Sequence, residues 1–357
     1  MKKLKNYIAL IMASLCLCGC GVSERSISAG TASDTEPKGK VYFTYFDTVS
    51  YIYSYAGDDM SRFDENCADV SSLLSDYNML FDIYHEYSDM NNLRTLNLNA
   101  GGEAIELDPR LIEFLEYTKE IYTITDGYTN VMMGSVLSLW HDCREAASDD
   151  PANASIPDDE TLKKAGEHID IDLLEIDSEN NTARIADPDA SIDVGAVGKG
   201  YATEKAAQLL EENGVTSYVL NIGGNIRIIG TKPDGSSWTA GIKDPKDPDN
   251  SFFTRINIAD TSCVTSGVYE RYFKVDGKKY HHIIDVDTLY PAENYASISI
   301  VTKDSGLADS LSTALFCMDY EKGAELVSTM PEVEVLWIMD DGSMNCTDGF
   351  KNLMAEN

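Results

Sequence analysis

Apolar positions along this chain repeat with two periods, and the switches between them outline the elements. From Val41 to Tyr55 aromatic and small residues alternate, which predicts a strand or hairpin arm. Met60 to Asp76 carries helical spacing. Asp108-Pro109 is a helix start, with a capping carboxylate and proline at the first position, and the apolar spacing continues through Tyr122. Asp142 to Pro157 is acidic and without evident period, and predicts an exposed loop. Ile169 to Ile192 reads as a hairpin turning near Glu179-Asn180-Asn181. Gly200 to Glu212 is an amphipathic helix, ended by Asn213-Gly214. The second half is rich in strands, around Val219, Trp238, Phe253, Val264 and Phe273. Asp276-Gly277 is a hairpin turn leading into Tyr280-His281-His282. Ser297 to Val301 predicts a strand, Ser305 to Cys317 a helix, and Val333 to Met339 a last strand before Asp341-Gly342. No heptad, solenoid period or internal repeat is present. The pattern is α+β: a mixed fold with a largely antiparallel sheet and packed helices.

Composition refines this picture. With 357 residues, 43% of them hydrophobic, the chain can bury a full core in one large domain or two closely joined subdomains. The formal net charge of -32 argues against a nucleic-acid partner, because phosphates attract cations. Acidic runs such as Asp149-Asp150 and Asp158-Asp159-Glu160 read as solvated loop charge.

The N-terminus has another use. Lys2, Lys3 and Lys5 precede an apolar run from Tyr7 to Leu17 that is short for a membrane span. L-C-G-C (17–20) follows and resembles a bacterial lipobox, with Cys20 as the lipidated residue. The expected organisation is a signal peptide over 1–19, a lipid-anchored flexible tether over 20–40 and a folded domain over 41–357. This places the protein on the extracytoplasmic face of a bacterial membrane. An ordinary secretory signal or a weak anchor helix is the alternative. Cys67, Cys143, Cys263, Cys317 and Cys346 remain: an odd number without a C-x-x-C, which argues against a disulfide scaffold or a zinc site.

Four segments could carry chemistry. D-V-G-A-V-G-K-G (193–200) is neither a Walker A loop nor a G-x-G-x-x-G. Its glycines would still let backbone approach a ligand, and the helix start with Lys199 would favour an anion. Backbone carbonyls in such a turn suit a hard cation. A tight strand-to-helix turn with a surface lysine accounts for the same residues. Gly223-Gly224 ends an apolar strand, and fits either a platform for a flat ligand or a plain hairpin turn. His281 and His282 lie after the Asp276-Gly277 turn, on opposite faces if the strand continues. One is a candidate general base, or both are structural. Asp309 and Thr313 stand at i and i+4 on one helix face and offer oxygen ligands suited to magnesium. An ordinary helical carboxylate with a core-facing threonine is the alternative.

Taken together, D-V-G-A-V-G-K-G-Y-A, N-I-G-G-N-I, W-T-A-G-I-K-D-P, S-G-V-Y-E-R, Y-H-H-I-I-D and A-D-S-L-S-T-A-L resemble the FAD:protein FMN transferases, the ApbE flavin transferases, in order and spacing. The resemblance runs from about Thr44 to about Met318 and implies an ApbE-like fold. It implies magnesium-dependent transfer of the FMN half of FAD to a Thr or Ser hydroxyl of a target flavoprotein, with release of AMP. Hydrolysis of FAD to FMN and AMP is the alternative activity, and a non-catalytic flavin-binding lipoprotein the alternative role. Carried over by position, Asp309, Thr313 and the carbonyl of Ala196 are the expected magnesium ligands. Phe46, Tyr77, Tyr128, Thr129, Asn130, Asp193, Lys199, Gly223, Gly224, His282 and Ile283 are the expected FAD contacts. His282 is the expected base, with Asp285 orienting it or acting nearby and Lys199 adding electrostatic stabilisation. The chain departs from the family pattern at Asn130, usually Asp, at Val286, usually Pro, and over 82–93.

Overall fold

The computed structural model describes residues 25–26, 38–54 and 60–355. The expected signal sequence and Cys20 lie outside them. The frame is an antiparallel sheet whose strands lie side by side in chain order. These are β1 (Lys38–Tyr45), β2 (Thr48–Ser54), β3 (Ser217–Ile222), β4 (Asn225–Gly230), β5 (Ser262–Gly267), β6 (Ser297–Thr302), β7 (Glu334–Ile338) and β8 (Met344–Cys346), with Arg25–Ser26 outside β1. Every neighbouring pair is antiparallel. The helices are carried by excursions between strands. From β2 to β3 the chain forms α1 (Phe63–Leu80), α2 (Pro109–Ile124), α3 (Gly134–Asp149) and α4 (Gly198–Glu212); from β6 to β7 it forms α5 (Ser305–Cys317) and α6 (Tyr320–Ser328). A hairpin of Trp238–Lys243 and Phe252–Ile258 leaves between β4 and β5, and a second, Tyr272–Val275 with Lys278–His281, between β5 and β6.

Strand alternation sorts side chains to two faces. Val264, Ile298, Ile300, Val335 and Trp337 meet Leu311, Leu315 and Phe316 of α5. Their neighbours Cys263, Val301, Leu336 and Ile338 meet Trp238 and Ile256 of the first hairpin. β6, lying between these layers, is buried at every position. A third cluster joins α1, α2 and α4 to β1–β3, and a fourth packs α3 against the second hairpin. All five described cysteines are free thiols.

Several elements extend beyond their sequence signals. α1 runs on to Leu80, because Val70, Leu74 and Tyr77 continue its buried stripe. The expected acidic loop over 142–157 is a correction: α3 continues to Asp149 and buries Val136, Trp140 and Ala147 at helical spacing. Three widely spaced apolar residues were enough to hold an otherwise acidic helix against the hairpin. Asp108 caps α2 by accepting the Arg110 amide at 2.9 Å, and Asp276 and Gly277, both at positive φ, form the tight turn that their dipeptide predicts.

The helices α4 and α5 approach most closely at Gly200. A Cβ there would stand 2.4 Å from the Asp309 Cβ and 2.4 Å from the Ser305 carbonyl oxygen. Gly200→Ala is therefore expected to destabilise the fold by about 1–3 kcal/mol through overpacking, read as a lower denaturant midpoint at unchanged m-value. An unchanged midpoint would show that the helices can separate freely.

Candidate active site

A cavity of about 390 Å³ opens where the start of α4, the β3–β4 turn, α5, α3 and the base of the second hairpin converge. Its floor is polar, with Asp193, Gly195, Ala196, Lys199, Asn225, Asp309 and Thr313. Its far wall is aromatic, with Trp140, Phe273 and Tyr280. Trp140 and Tyr280 stack with ring centres 5.8 Å apart.

The geometry of the floor follows from one hydrogen bond. Gly200 lies in the first turn of α4, where N–H groups have no partner in their own helix. Its N–H donates to Asp309 Oδ2 at 2.8 Å. The same oxygen accepts Asn225 Nδ2 at 3.0 Å and lies 3.7 Å from Lys199 Nζ. Asp309 Oδ1 and the Thr313 hydroxyl have no hydrogen-bond partner among the described residues. The Ala196 carbonyl, two residues before the helix, accepts no hydrogen bond among the described residues. Three oxygen donors from two elements thus border one cavity, the ligand type that magnesium prefers. Lys199 is held by donation to the Gly195 carbonyl at 2.9 Å, and Asp193 secures the turn by accepting the Gly195 N–H at 2.8 Å.

His282 stands on the wall above. Its Nδ1 lies 3.2 Å from the Arg271 carbonyl, which also accepts the His282 N–H at 3.1 Å. A carbonyl only accepts, so Nδ1 carries the proton and Nε2 keeps its lone pair. His282 is exposed, and it lines the cavity. Enclosure by protein, with the Arg271 cation, His281 and Lys199 nearby, pushes its pKa down to about 3. His281 is buried, bonds the Ala292 carbonyl through Nε2 at 2.7 Å and accepts the Ile283 N–H at 3.3 Å, so both its nitrogens are used.

The structure brings together Tyr128, Thr129, Asn130, Asp193, Ala196, Lys199, Gly223, Gly224, His282, Ile283, Asp309 and Thr313 on this cavity. Some of these side chains are fully committed to the fold. Thr129 donates to the Ser310 carbonyl at 2.7 Å, and Tyr128 donates to Asp287 at 3.0 Å. Asn130 donates to the Ile169 carbonyl and accepts the Met132 N–H. A carboxylate could not make the first of these bonds, which gives the departure at this position a structural reason.

Three expected site residues lie off the cavity. Tyr77 is 4% exposed, with its ring packed on Phe81 and Tyr201, because the stripe of α1 turns it into the core. Phe46 occupies a left-handed turn and packs towards Phe81, while its neighbours Asp47 and Thr48 reach the cavity. Asp285 does not orient His282. Its Oδ1 accepts the Asp287 and Thr288 amides and closes the turn behind the hairpin.

Sequence reasoning missed Tyr84, Trp140, His141, Arg144, Asn225 and Arg271, all of which line the cavity. Tyr84 belongs to the divergent 82–93 segment, and Asp82 accounts for its shape. That carboxylate accepts the Tyr84 and His85 amides and the Tyr87 hydroxyl, and these bonds hold it below its usual pKa. Tyr84 is presented at the rim, 5.6 Å from the His141 ring. An Asp followed two residues later by an aromatic was the available signal.

The neutral state of His282 has a stability consequence. The unfolded imidazole takes a proton as pH falls below its ordinary value of 6.5, whereas the folded one resists until about 3. Stability from this group is therefore complete above pH 6.5 and is lost as pH falls towards 3. Denaturant unfolding of wild type and His282→Gln across this range should diverge below pH 6.5, with wild type falling faster. Parallel curves would mean that the ring charges as readily folded as unfolded.

Comparison with known proteins gives this cavity a context. A sequence profile described as the ApbE family matches residues 47–337. The FAD:protein FMN transferase of Treponema pallidum is 31% identical over 271 residues, covering 72% of this chain and 73% of that one. The apbe protein of Thermotoga maritima superposes with a TM-score of 0.78 at 26% identity, covering 90% of this chain and all of that one. The flavin transferase ApbE of Vibrio cholerae superposes at 0.75 with 25% identity, covering 89% and 99%. With its antiparallel sheet, its helix layer and this extended match, the chain belongs to the ApbE family.

Proposed function

We propose that this enzyme transfers the FMN half of FAD to a Thr or Ser hydroxyl of a target flavoprotein, with magnesium bound, and releases AMP. The observation that carries the reading is the floor of the cavity. Asp309 Oδ1, the Thr313 hydroxyl and the unbonded Ala196 carbonyl leave oxygen donors free beside a lysine and a helix start. That set suits a hard cation and a pyrophosphate together, and serves a flavin binder without chemistry less well.

Asp309, Thr313 and Ala196 would hold the magnesium ion. When bound it would offset charge developing on the pyrophosphate oxygens as the P–O bond breaks. Lys199 adds a cation on the same side, fixed by the Gly195 carbonyl before the ligand arrives, so little reorganisation is needed. The acceptor oxygen attacks the phosphorus of the FMN half. The bond from that phosphorus to the bridging oxygen breaks, and AMP departs with the electron pair. His282 Nε2 takes the proton of the attacking hydroxyl. Desolvation, Arg271 and Lys199 together hold the ring neutral, and an anionic pyrophosphate beside the two cations offsets their share, so the imidazole becomes more basic once substrate is in place. The aromatic wall of Trp140, Phe273 and Tyr280 offers flat apolar surface for a ring system of FAD. Acylation at Cys20 would tether the enzyme at an extracytoplasmic membrane surface, near membrane-bound acceptors.

Mass spectrometry of an acceptor flavoprotein domain incubated with the enzyme, FAD and magnesium tests this. The expected product is an FMN adduct on Thr or Ser with one AMP formed per adduct. Asp309→Ala should slow adduct formation by about 100-fold or more, since loss of partners behind a metal ligand already costs about 10- to 100-fold. His282→Gln should slow it by about 10²- to 10⁴-fold with FAD still bound. AMP and free FMN without adduct would make the enzyme a hydrolase. Wild-type rates in His282→Gln would remove that residue from the base role.

A further inference from the structure

Among the buried charged groups that the mechanism does not use are Glu204 and Arg227. Glu204 lies on α4, 8% exposed, one turn beyond Gly200. Its Oε2 accepts the backbone N–H of Ser305, the first residue of α5, at 3.0 Å. It also accepts Arg227 Nε at 3.1 Å; Arg227 rises from β4 with no exposed surface and bonds Glu211 as well. Ser305 is one turn before Asp309. The two helices run antiparallel here, so 200 faces 309 and 204 faces 305. They are clasped by two reciprocal rungs. On one, a carboxylate of α5 accepts an amide from the first turn of α4. On the other, a carboxylate of α4 accepts an amide from the first turn of α5. First-turn amides have no partner inside their own helix, and the partial positive charge there favours a carboxylate. The rungs are one helical turn apart on the same contact line, so neither can shift without the other.

We propose that Glu204 is a positioning residue for the cation site: the Glu204–Ser305 rung sets the helix register in which Asp309 takes the Gly200 amide, keeps Oδ1 free and stands across from the unbonded Ala196 carbonyl. This rests on the reading that Asp309 is a metal ligand. Arg227 has a separate part, which is to balance the buried carboxylate. Replacing the Glu204–Arg227 pair by apolar side chains of similar size removes the rung without leaving a buried charge unpaired, because the other carboxylates that Arg227 meets, Glu211 and Asp260, stay open to solvent, and such replacements commonly preserve stability. Replacing it by Gln and Met keeps a carbonyl to accept the Ser305 amide while removing both charges. The rung, and not the charge, therefore decides metal affinity.

The test is Mn²⁺ binding to the purified protein, followed by electron paramagnetic resonance, in wild type, Glu204→Met/Arg227→Met and Glu204→Gln/Arg227→Met. The Met/Met protein should bind Mn²⁺ about 10- to 100-fold more weakly. The Gln/Met protein should return to within about threefold of wild type, taken as equivalence against that loss. A folded Met/Met protein with wild-type affinity would overturn the proposal, as would equal loss in both variants. Failure of wild type itself to bind Mn²⁺ would instead strike the metal reading beneath it. Hydrogen exchange on the wild-type protein covers the case in which the variants do not fold. Coupling is reciprocal, so Mg²⁺ should slow exchange of the Ser305 amide. Slowing at Gly200 with no change at Ser305 would overturn the proposal.

Discussion

The site depends on how closely α4 can approach α5. Without a side chain at Gly200, the backbone amide of one helix reaches the carboxylate of the other, and the bond it makes there is one that its own helix lacks. Three consequences follow together. Asp309 is turned so that one oxygen is occupied and the other is free. The Ala196 carbonyl is left without a hydrogen bond among the described residues. Lys199, next in the chain, comes to rest between the Gly195 carbonyl and Asp309. The sheet serves this contact by supplying Asn225 to the same carboxylate oxygen and Arg227 to the carboxylate one turn away. Because β4 carries both residues and follows directly from the Gly223-Gly224 turn, strand, turn and helix pair act as one rigid support.

Electrostatics at the cavity run against the character of the chain. A protein of net charge -32 repels an anionic dinucleotide at long range, so attraction must be local. Lys199, Arg144 and Arg271 supply it from the floor and rim. Desolvation of the ring, with Arg271 and Lys199 from this set, keeps His282 neutral. The Arg271 peptide thus acts twice: its carbonyl fixes the imidazole tautomer, and its side chain helps set the charge state.

Much of the fold was legible as period and punctuation. Asp108-Pro109, Asp276-Gly277 and Asn213-Gly214 mark boundaries by local chemistry alone, and the structure places boundaries there. α3 was not legible to its end, because three buried residues hold it while solvent-facing acids fill the rest. Within the site, the convergence of the glycine turns with Asp309 and Thr313 on one cavity was readable because it depends on backbone and spacing. Tyr77 and Asp285 were misplaced because their roles depend on which way an element faces after packing. Glu204 gave no signal of its own. A carboxylate in an amphipathic helix looks solvated until a buried arginine from a distant strand is seen beside it.

The central claim is that the Gly200–Asp309 bond builds a cation site from Asp309, Thr313 and Ala196. The most direct measurement is a crystal structure with FAD and Mn²⁺, the ion located by its anomalous scattering. The account predicts one manganese within roughly 2.0–2.3 Å of Asp309 Oδ1, the Thr313 hydroxyl and the Ala196 carbonyl oxygen, facing the pyrophosphate. An ion seated elsewhere, such as the group formed by His168, Asp187 and Asp189, with the pyrophosphate away from Lys199, would contradict it.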